Sequence, residues 1–284
     1  MSGTTGVESK AVSARRREIL DYVLENGGAQ IEELVERFST SRMTIHRDLH
    51  ALSEQGLVRK VHGGVTMLAS GVMETSVVHR MRRASREKQA IARVAASFIK
   101  TGDIIALDDS TTSRILSETL PSGMPLTVMT NSMGIATQIA NARDISLISL
   151  GGKYHPRFDA FLGILCEQGT KSLRANTLFM SVSAVRDLGA FHQEQEIVKC
   201  KTALMNIVDR RILMIDSQKF EVTALNRIAS LTDFDVVITD SGVAESQKSR
   251  MLEAGVNLHI ASLDEASPAS LHGKSGESQK GTKQ

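Results

Sequence analysis

The sequence predicts two folded domains, a small α+β domain followed by a larger α/β domain built on a mostly parallel sheet. The chain has 284 residues, which is more than the roughly 100–200 residues of one typical domain. Short helical patterns and a hairpin pattern occupy residues 15–67, whereas strand and helix patterns alternate over residues 91–262. Such alternation indicates βαβ units, because parallel strands need a crossover connection. The remaining segments are a linker at 68–90 and polar tails, predicted to be disordered, at 1–14 and 263–284.

The composition limits the class of protein. Hydrophobic residues make up 41% and charged residues 23% of the chain, which excludes global disorder. The net charge is only +2, so a nucleic-acid site would have to be a local basic patch. Neither a secretion signal nor an apolar run of about 18 residues occurs, which predicts a cytoplasmic protein outside the membrane. Cys166 and Cys200 are too few for a disulfide framework and lack zinc-site spacing, so we expect buried thiols and no metal or cofactor.

Three short helices and a hairpin are predicted in the first domain. Apolar residues recur at helical spacing from Arg15 to about Glu25, from Ile31 to Phe38 and from Arg42 to Glu54. Residues Leu57–Met67 alternate around two glycines, as in a small β-hairpin. Three helices, a short break before the third and a following hairpin predict a winged helix-turn-helix. The residues expected to face inward from the third helix are Met43, Leu49 and Leu52.

The third helix has the residue types expected of a helix that contacts DNA. Its first turns present hydroxyl and guanidinium groups, which bond base edges and phosphates in the major groove. Cationic residues of the hairpin, the predicted wing, would then contact phosphates. Asp48 is expected to be a structural partner of an arginine. The alternative is a surface helix with scattered charge, but the flanking helices favour DNA binding. The candidate DNA-binding residues are Ser41, Arg42, Thr44, His46 and Arg47 in the helix and Arg59, Lys60 and His62 in the wing.

A basic stretch joins the two domains. From Met67 to Lys100 there are seven lysines and arginines against two glutamates, a local net charge of +5. Two interpretations remain open, a solvated helix face or a surface that also runs close to the phosphate backbone. Because the stretch is continuous with both domains, it is the natural mechanical connection between them.

Seven apolar runs are predicted to form the strands of the second domain. Helical patterns lie between most of them, including Arg114–Thr119, Gly134–Ala140, Gln195–Ile207 and Glu245–Ala254. Their carboxyl ends would meet at one edge of a parallel sheet, which is where such sheets bind ligands. The runs are Ile104–Leu107, Leu126–Thr130, Ile145–Leu150, Thr177–Val182, Arg211–Ile215, Val236–Thr239 and Asn257–Ile260.

Four segments place polar groups at or near the ends of these strands. Leu107–Thr112 sets three hydroxyls and several N–H groups before a helix, which predicts an anion site, although an ordinary helix cap would use the same residues. Thr130–Ser132 and Gly151–Lys153 end two further strands of the sheet. In the fourth segment, Lys219 suits a phosphate and Asp216 suits the lysine or a sugar hydroxyl, with a surface ion pair as the alternative.

Two further groups of polar residues have open alternatives. The loop Lys153–Gly163 contains His155, Arg157 and Asp159, which either confer ligand specificity at the mouth of the site or cover an apolar edge. His192, Glu194 and Glu196 have a spacing that would allow metal binding. One histidine with two flexible glutamates is nevertheless ordinary on a protein surface, so no metal site is predicted.

The N-terminal motifs carry a family resemblance. Arg17–Leu20, Ile31–Leu34 and the run SxxTIHRDLHALSEQGLVRKVHGGV resemble the N-terminal domain of DeoR-family bacterial transcriptional regulators. The usual core of that family is close to TIRRDLxxLExxGxxxRxHGGA. His46 stands where this core has its first arginine, and Val65 stands where it has alanine. The change at His46 alters one potential base contact.

The second domain resembles the C-terminal sensor domain of the same family, which is related in fold to ribose-5-phosphate isomerase and glucosamine-6-phosphate deaminase. The matching segments are LDDSTT, TNS, LGG, EQEIVKCKTALM and DSQKF, with Ser110 where the family has glycine. The resemblance implies that a phosphorylated sugar binds here, with Lys199 as a weaker candidate contact. The effector-binding residues implied by the matching motifs are Asp108, Ser110, Thr111, Thr112, Thr130, Asn131, Gly151, Gly152, Asp216 and Lys219.

These observations support two functional hypotheses. The favoured one is a sequence-specific transcriptional repressor of carbohydrate-metabolism genes, a homodimer or homotetramer on double-stranded operator DNA whose affinity is controlled by a phosphorylated sugar. The alternative is an isomerase-like or deaminase-like enzyme with a DNA-binding appendage. Proton abstraction needs a positioned carboxylate, and the adjacent Asp108 and Asp109 would point in opposite directions along an extended chain. We therefore expect no catalytic residues. The effector, the operator and the sign of the response are left open.

Overall fold

The computed structural model describes residues 14–20, 22–23, 28–54, 57–67, 77–121, 123–220 and 222–263. The predicted polar tails lie outside these residues, apart from Ala14 and Leu263. Much of the predicted linker also lies outside them.

The first domain consists of three helices and a three-stranded sheet, which confirms the predicted winged helix-turn-helix. Strand β1 (Gly28–Gln30) was not predicted, and it pairs with the hairpin strand β3 (Gly64–Met67) at Gly28 and Thr66. Apolar residues from all three helices and the hairpin form one core. The elements are α1 (residues 14–20 and 22–23), β1 (Gly28–Gln30), α2 (Ile31–Arg37), α3 (Arg42–Glu54), β2 (Val58–Val61) and β3 (Gly64–Met67).

The inward position predicted for Met43 is wrong. Its side chain is 69% exposed, whereas Ile45, Leu49 and Leu52 are buried on the core side of α3. These three residues follow the spacing i, i+4, i+7 of one helix face. Met43 precedes Ile45 by two positions, about 200° around the helix, so it points away from the core.

The second domain has a seven-stranded, all-parallel sheet, which confirms the predicted α/β fold. Side chains that alternate along the strands enter two separate apolar cores, one on each face of the sheet. The sheet strands are β4 (Ile104–Leu107), β5 (Leu126–Thr130), β6 (Ile145–Ser149), β9 (Ala175–Met180), β12 (Val208–Met214), β14 (Val236–Asp240) and β15 (Leu258–Ala261). Across the sheet they follow the order β15-β14-β12-β9-β4-β5-β6.

Helices cover both faces of this sheet. Cys166 and Cys200 are buried in the core on one face, as predicted. Helix α5, whose first residues were counted with the linker, packs Ala90 and Ile91 against the other face. The helices are α4 (Val77–Arg82), α5 (Ser85–Ala96), α6 (Thr111–Glu118), α7 (Met133–Ile139), α8 (Ile164–Thr170), α9 (Gln195–Met205) and α10 (Glu245–Glu253).

Two small antiparallel sheets lie at the carboxyl edge of the seven-stranded sheet, and neither was predicted. The first is a hairpin of β7 (Lys153–His155) and β8 (Ala160–Leu162), which pairs His155 with Ala160. The second is a small sheet of β10 (Ala184–Arg186), β11 (Gly189–His192) and β13 (Asn226–Ser230). Among the described residues, no helix has the length and apolar character to cross a membrane.

Candidate DNA-binding surface and effector site

The start of α3 is fixed by two hydroxyl side chains. The Ser41 Oγ accepts a hydrogen bond from the Thr44 backbone N–H at 3.2 Å, and the two side-chain oxygens lie 2.9 Å apart. Such a bond is the usual way to satisfy an N–H group at a helix N-terminus. Both candidate hydroxyls therefore define where α3 begins. They lie beside exposed residues of the same turn.

The cationic candidates of α3 lie on its solvent side. Arg42, His46 and Arg47 are exposed. Arg42 forms an ion pair with Glu32 of α2 at 3.0 Å, but both side chains are 64% exposed, so the pair contributes little to stability. The surface that α3 offers is thus polar, cationic and open, with the exposed Met43 beside it.

Asp48 has the structural role predicted for it. Its carboxylate is buried and accepts hydrogen bonds from the Nε of Arg15 at 2.7 Å and of Arg16 at 2.8 Å. These arginines belong to α1, so the buried charge ties α1 to α3. Asp48 is consequently engaged inside the domain and does not face the surface that α3 presents.

The wing presents its cationic residues to solvent. In β2, Val58 is buried while Arg59 and Lys60 are exposed, and His62 in the turn is exposed as well. The turn passes through Gly63, whose φ of +73° lies in the region that favours glycine. The wing and the first turns of α3 are therefore two cationic surfaces on one small domain.

The predicted effector residues meet at the carboxyl edge of the seven-stranded sheet. Residue pairing aligns Leu107 with Thr130 and with Phe179, and Thr130 with Ser149. The segments that follow these strands therefore emerge side by side. In sheet order, the groups at this edge are Asp216 and Lys219 after β12, Ser181 after β9, Asp108 to Thr112 after β4, Asn131 after β5, and Gly151 and Gly152 after β6.

Asp108 is buried at this edge, where it bonds groups that follow two neighbouring strands, β4 and β9. One of its carboxylate oxygens accepts hydrogen bonds from the Ser110 N–H at 3.0 Å and the Ser113 hydroxyl at 2.6 Å. The other accepts from the Ser181 N–H at 2.9 Å and from the Lys201 ammonium. Burial opposes its charge, but Lys201 and these hydrogen bonds hold the pKa of Asp108 below its usual value.

Lys201 is a buried residue of this edge that the sequence interpretation missed. Its buried ammonium contacts the carboxylate of Asp108 and lies 3.2 Å from that of Asp109. Burial opposes the charge, yet these carboxylates raise the pKa of Lys201 above its usual range. Lys199, the candidate chosen from this helix, is exposed. The signal was the helical period, because Ile197, Cys200, Lys201 and Leu204 share the buried face of α9.

Polar atoms without hydrogen-bond partners lie at the same edge. Ser110 caps α6, since its Oγ accepts from the Ser113 N–H at 3.1 Å. Thr111 and Thr112 follow it and are buried, and the Thr112 hydroxyl has no hydrogen-bond partner among the described residues. Asn131 donates through its Nδ2 to the Phe161 carbonyl at 3.2 Å, whereas its Oδ1 has no such partner there. Buried polar atoms of this kind call for an explanation, such as a ligand or water.

Thr130 and the two glycines have different surroundings. The Thr130 hydroxyl accepts from the Ser132 N–H at 3.0 Å, so it shapes the turn into α7. Gly151 is exposed and has open space where a side chain would extend. At Gly152, whose φ is +148°, a Cβ atom would come within 2.5 Å of the Leu162 carbonyl oxygen. Gly152 is therefore required by its close approach to β8.

Lys219 supplies a partly exposed cation. It lies in the short 3₁₀ turn Ser217–Lys219, and its Nζ donates to the Ser181 hydroxyl at 3.0 Å. The same Nζ is 3.5 Å from the buried Asp216 carboxylate, while the Lys219 side chain is 22% exposed. A lysine ammonium has three donors, so it can bond a ligand in addition to these partners.

The loop Lys153–Gly163 is held by ion pairs and hydrogen bonds. The Asp159 carboxylate is 3.3 Å from Arg114 and accepts from the Tyr154 hydroxyl at 2.8 Å. His155 lies 3.2 Å from Glu196, and Arg157 lies 3.8 Å from Glu194. These two glutamates face the loop. In the part of the chain that the structure describes, no three metal-ligating side chains form a cluster.

Comparisons with known proteins match the chain over both domains. The family model described as the DeoR-like helix-turn-helix domain matches residues 15–70, and that of the DeoR C-terminal sensor domain matches residues 83–241. The chain is 33% identical to the helix-turn-helix transcriptional regulator YulB of Bacillus subtilis, over 82% of this chain and 90% of the relative. The match to YulB therefore covers most of this chain and most of the relative.

Two further relatives have names that state a regulated system. The lactose phosphotransferase system repressor of Lactococcus lactis is 32% identical, over 81% of this chain and 91% of the relative. The L-fucose operon activator of Haemophilus influenzae is 30% identical, over 80% of this chain and 92% of the relative. Both are named as regulators of transcription, and the comparisons give no support to the enzyme alternative.

A partial likeness to a solved structure accompanies these matches. Ribose 5-phosphate isomerase A from Neisseria gonorrhoeae aligns at 15% identity with a TM-score of 0.35, covering 47% of this chain and 52% of that one. At such a score the likeness supports no statement about function. The sequence relationship does, because it spans the helix-turn-helix and the sensor domain together. The chain belongs to the DeoR family of transcriptional regulators, with an N-terminal DNA-binding domain and a C-terminal sensor domain.

Proposed function

We propose that this regulator binds a phosphorylated sugar at the carboxyl edge of its seven-stranded sheet and that the bound sugar lowers its affinity for operator DNA. The observation that carries the proposal is the combination of a partly exposed ammonium, Lys219, with buried polar atoms of Thr112 and Asn131 that lack hydrogen-bond partners among the described residues. The regulated genes would serve carbohydrate metabolism. The regulator would repress these genes when it binds its operator.

The chemistry of this edge fits the two parts of such a ligand. A phosphate needs cations and N–H donors, which Lys219 and the N-terminus of α6 supply. A sugar hydroxyl is both donor and acceptor, so it can satisfy Asn131 and Thr112, which would otherwise remain costly buried groups. The proposed effector residues are Asp108, Ser110, Thr111, Thr112, Thr130, Asn131, Gly151, Gly152, Asp216 and Lys219, with Asp108 and Thr130 shaping the site from inside.

The names of the relatives support the ligand class. One acts on a lactose phosphotransferase system and another on an L-fucose operon. Sugars in these two systems differ, so we propose the class of phosphorylated sugars and no individual member. The pair also includes one repressor and one activator by name. Release of the DNA by the effector is proposed here because it is the family's usual arrangement.

On the DNA side, we propose that α3 enters the major groove while the wing contacts phosphates. Both surfaces are cationic and exposed, which supports this assignment. A cytoplasmic homodimer or homotetramer would place two such domains on paired half-sites. The proposed contacts are Ser41, Arg42, Thr44, His46 and Arg47 from α3, and Arg59, Lys60 and His62 from the wing.

The test is a thermal-shift screen of the full chain against hexose 6-phosphates, pentose 5-phosphates and the same sugars without phosphate. A ligand at about 100 times its Kd stabilises the domain that binds it by about 2.7 kcal/mol, which raises its melting temperature by several degrees. We expect a sugar phosphate to give this shift and its unphosphorylated counterpart to give none.

The control is a matched pair of lysine variants. Lys219→Ala should abolish the shift, whereas Lys248→Ala should retain it, because Lys248 belongs to a surface pair with Glu245 on α10. A screen in which no sugar phosphate shifts the melting temperature would refute the effector proposal. A full shift in Lys219→Ala would show that the phosphate binds elsewhere.

A further inference from the structure

Helix α4 (Val77–Arg82) is held at both ends by groups that adjoin the proposed effector site. It is the first described element after the DNA-binding domain, from which residues 68–76 separate it. We propose that α4 transmits the occupancy of the effector site to the DNA-binding domain, and that the turn of the β7–β8 hairpin is its main contact with that site. This proposal rests on the proposed function and adds the element that couples the two sites.

The hairpin turn holds the N-terminus of α4. The Val77 backbone N–H donates to the Arg157 carbonyl at 3.0 Å. Next to this bond, the buried Phe158 ring lies 6.0 Å from the Arg80 guanidinium and 5.7 Å from that of Arg157. One residue of the turn thus bonds the helix backbone, and its neighbour packs against a side chain of the helix. The position of α4 therefore depends on the position of the turn.

The same turn is bonded to the effector site. The Asp159 carbonyl accepts from the Met133 N–H at 2.9 Å, and the Phe161 N–H donates to the Asn131 carbonyl at 2.8 Å. The Asn131 side chain donates to the Phe161 carbonyl at 3.2 Å. Asn131 therefore contacts the hairpin through its backbone and its Nδ2, while its Oδ1 is the atom that a ligand would satisfy.

Asp159 keeps the turn in an uncommon conformation. Its φ is +54°, a left-handed value that non-glycine residues adopt infrequently. Its carboxylate is held by Arg114 of α6 at 3.3 Å and by the Tyr154 hydroxyl at 2.8 Å. Arg114 belongs to the helix whose N-terminus carries Ser110 to Thr112. A change at either the α6 end or the Asn131 end of the effector site thus acts on this turn.

The C-terminal end of α4 is held from the other side of the site. The buried Lys88 Nζ donates to the carbonyls of Arg80 and Arg83, the latter at 2.7 Å. The Arg83 side chain also donates to Gln218 at 3.1 Å, and Gln218 precedes Lys219 in the 3₁₀ turn. Lys219 adjoins the residue that holds the C-terminal end of α4, and Asn131 bonds the hairpin that holds its N-terminus. A ligand that contacts both Lys219 and Asn131 would therefore act on both ends of α4.

Coupling requires that the ligand distinguish two arrangements of the chain. The hydrogen bond from Val77 to Arg157 is the connection that one substitution on α4 can break. Proline at the first position of a helix is tolerated, because the N–H at that position has no partner within the helix. Val77→Pro therefore removes this bond, and its Cδ would push the Arg157 carbonyl away, while α4 itself tolerates the proline; Val77→Ala keeps the N–H and shortens the side chain.

The experiment measures the DNA affinity of the full chain with and without ligand. The DNA probe is the duplex that the wild-type chain selects from random sequences, and the ligands are the hexose 6-phosphates and pentose 5-phosphates of the thermal-shift screen. For the wild type we expect the Kd for DNA to change about tenfold or more, within the usual range for allosteric coupling. Val77→Pro should reduce this factor to near one, and Val77→Ala should retain it.

A second matched pair tests the hairpin turn itself. Asp159→Gly preserves the positive φ and removes the side chain held by Arg114, so it should also reduce the coupling factor. The control is Asp187→Gly, because Asp187 has a φ of +50° and pairs with Arg250 at 2.9 Å in the turn between β10 and β11. It should leave the factor unchanged. In every variant, the melting temperature should still rise with the same sugar phosphate.

The outcomes separate this inference from the proposed function. A wild-type chain whose DNA affinity and melting temperature respond to none of the ligands contradicts the effector site, and the role of α4 with it. A wild-type response that persists in both Val77→Pro and Asp159→Gly contradicts only the role of α4. Loss of coupling with ligand binding retained supports it, since a purely structural defect would weaken both.

Discussion

At the scale of single residues, Lys201 shows how one buried charge organises several strand ends. Asp108 joins the backbone after β9 to the start of α6, and Lys201 balances the charge of both Asp108 and Asp109. We predict that Lys201→Met destabilises the sensor domain by about 3–5 kcal/mol, the cost of leaving a buried charge without its partner. Chemical denaturation followed by circular dichroism measures this loss.

The control for Lys201 is its exposed neighbour on the same helix. Lys199→Met should change the free energy of unfolding by less than about 0.5 kcal/mol, as surface substitutions usually do. If the two variants were equally stable, the ion pairs of Lys201 would not contribute to the fold. The position itself follows from the sequence once the helical period of α9 is extended to charged residues.

Lys88 is a buried lysine whose pKa is lowered, whereas that of Lys201 is raised, and this predicts that stability depends on pH. Burial, with the neighbouring Lys219 adding to it, lowers the pKa of Lys88 to about 7. The nearby carboxylate of Asp216 opposes this shift, whereas Arg80 and Arg83 reinforce it. A lysine in the unfolded chain titrates near 10.4, at about the value of model peptides. Between these two values the unfolded chain binds a proton that the folded chain does not.

Stability should therefore rise with pH in this range. The wild type should gain about 2 kcal/mol of unfolding free energy between about pH 7 and about pH 9 relative to Lys88→Met, and this gain should be lost as the pH falls back to about 7, below which the dependence levels off. Denaturant unfolding of both proteins at each pH measures the difference, which cancels the other titrating groups. Parallel pH profiles of the two proteins would show that Lys88 keeps its charge in the folded state.

At the scale of elements, α3 and the wing should differ in how they contribute to DNA binding. Arg47 lies on the exposed side of α3, so Arg47→Ala should cost about 1–3 kcal/mol on the selected duplex and relax the preference for one base pair. Arg59 is exposed on the wing, so Arg59→Ala should weaken all sequences alike and reduce the salt slope of log K by about one.

Fluorescence anisotropy on the selected and on scrambled duplexes, across a salt series, separates these two effects. Lys171→Ala serves as the control, since it removes an exposed charge from the sensor domain. It should change neither the salt slope nor the sequence preference. An Arg47→Ala variant that binds both duplexes as the wild type does would show that α3 is not the helix that contacts DNA.

The elements also show which parts of the fold a sequence pattern predicts. Ile104–Leu107 and Leu126–Thr130 are found with the predicted bounds, because buried parallel strands are continuous apolar runs. The predicted strands at 177–182 and 211–215 begin earlier, at Ala175 and Val208. Polar residues at the amino ends of these strands, such as Asn176 and Asp209, face solvent and interrupt the apolar pattern.

The pieces that were not predicted owe their position to long-range contacts. The turn of the β7–β8 hairpin is fixed by Arg114 and by backbone bonds to residues 131 and 133. No local pattern in the sequence predicts such long-range partners. The common position of the proposed effector segments was predictable because each one follows a strand of the sheet, whereas the connection from them to α4 depends on which loop lies beside which helix.

At the scale of the whole molecule, one DNA-binding domain of this size covers only one half-site. Helix-turn-helix proteins reach full affinity as dimers on half-sites whose centres lie about 10–10.5 base pairs, or a multiple of that distance, apart. We therefore predict that the chain binds as an oligomer to two half-sites on one side of the duplex. Sedimentation of the chain with a fluorescent duplex should give at least two chains per DNA.

The spacing of the half-sites tests this arrangement directly. Inserting about five base pairs rotates one half-site to the opposite side of the duplex, so the affinity should fall at least tenfold, towards that of a single half-site. Inserting about ten base pairs restores the side and should recover part of the affinity, depending on how far the linker between Met67 and Val77 reaches. A chain that binds a single half-site as tightly as the pair, at every spacing, would act as a monomer. The coupling through α4 would then operate within one chain, without a partner to amplify it.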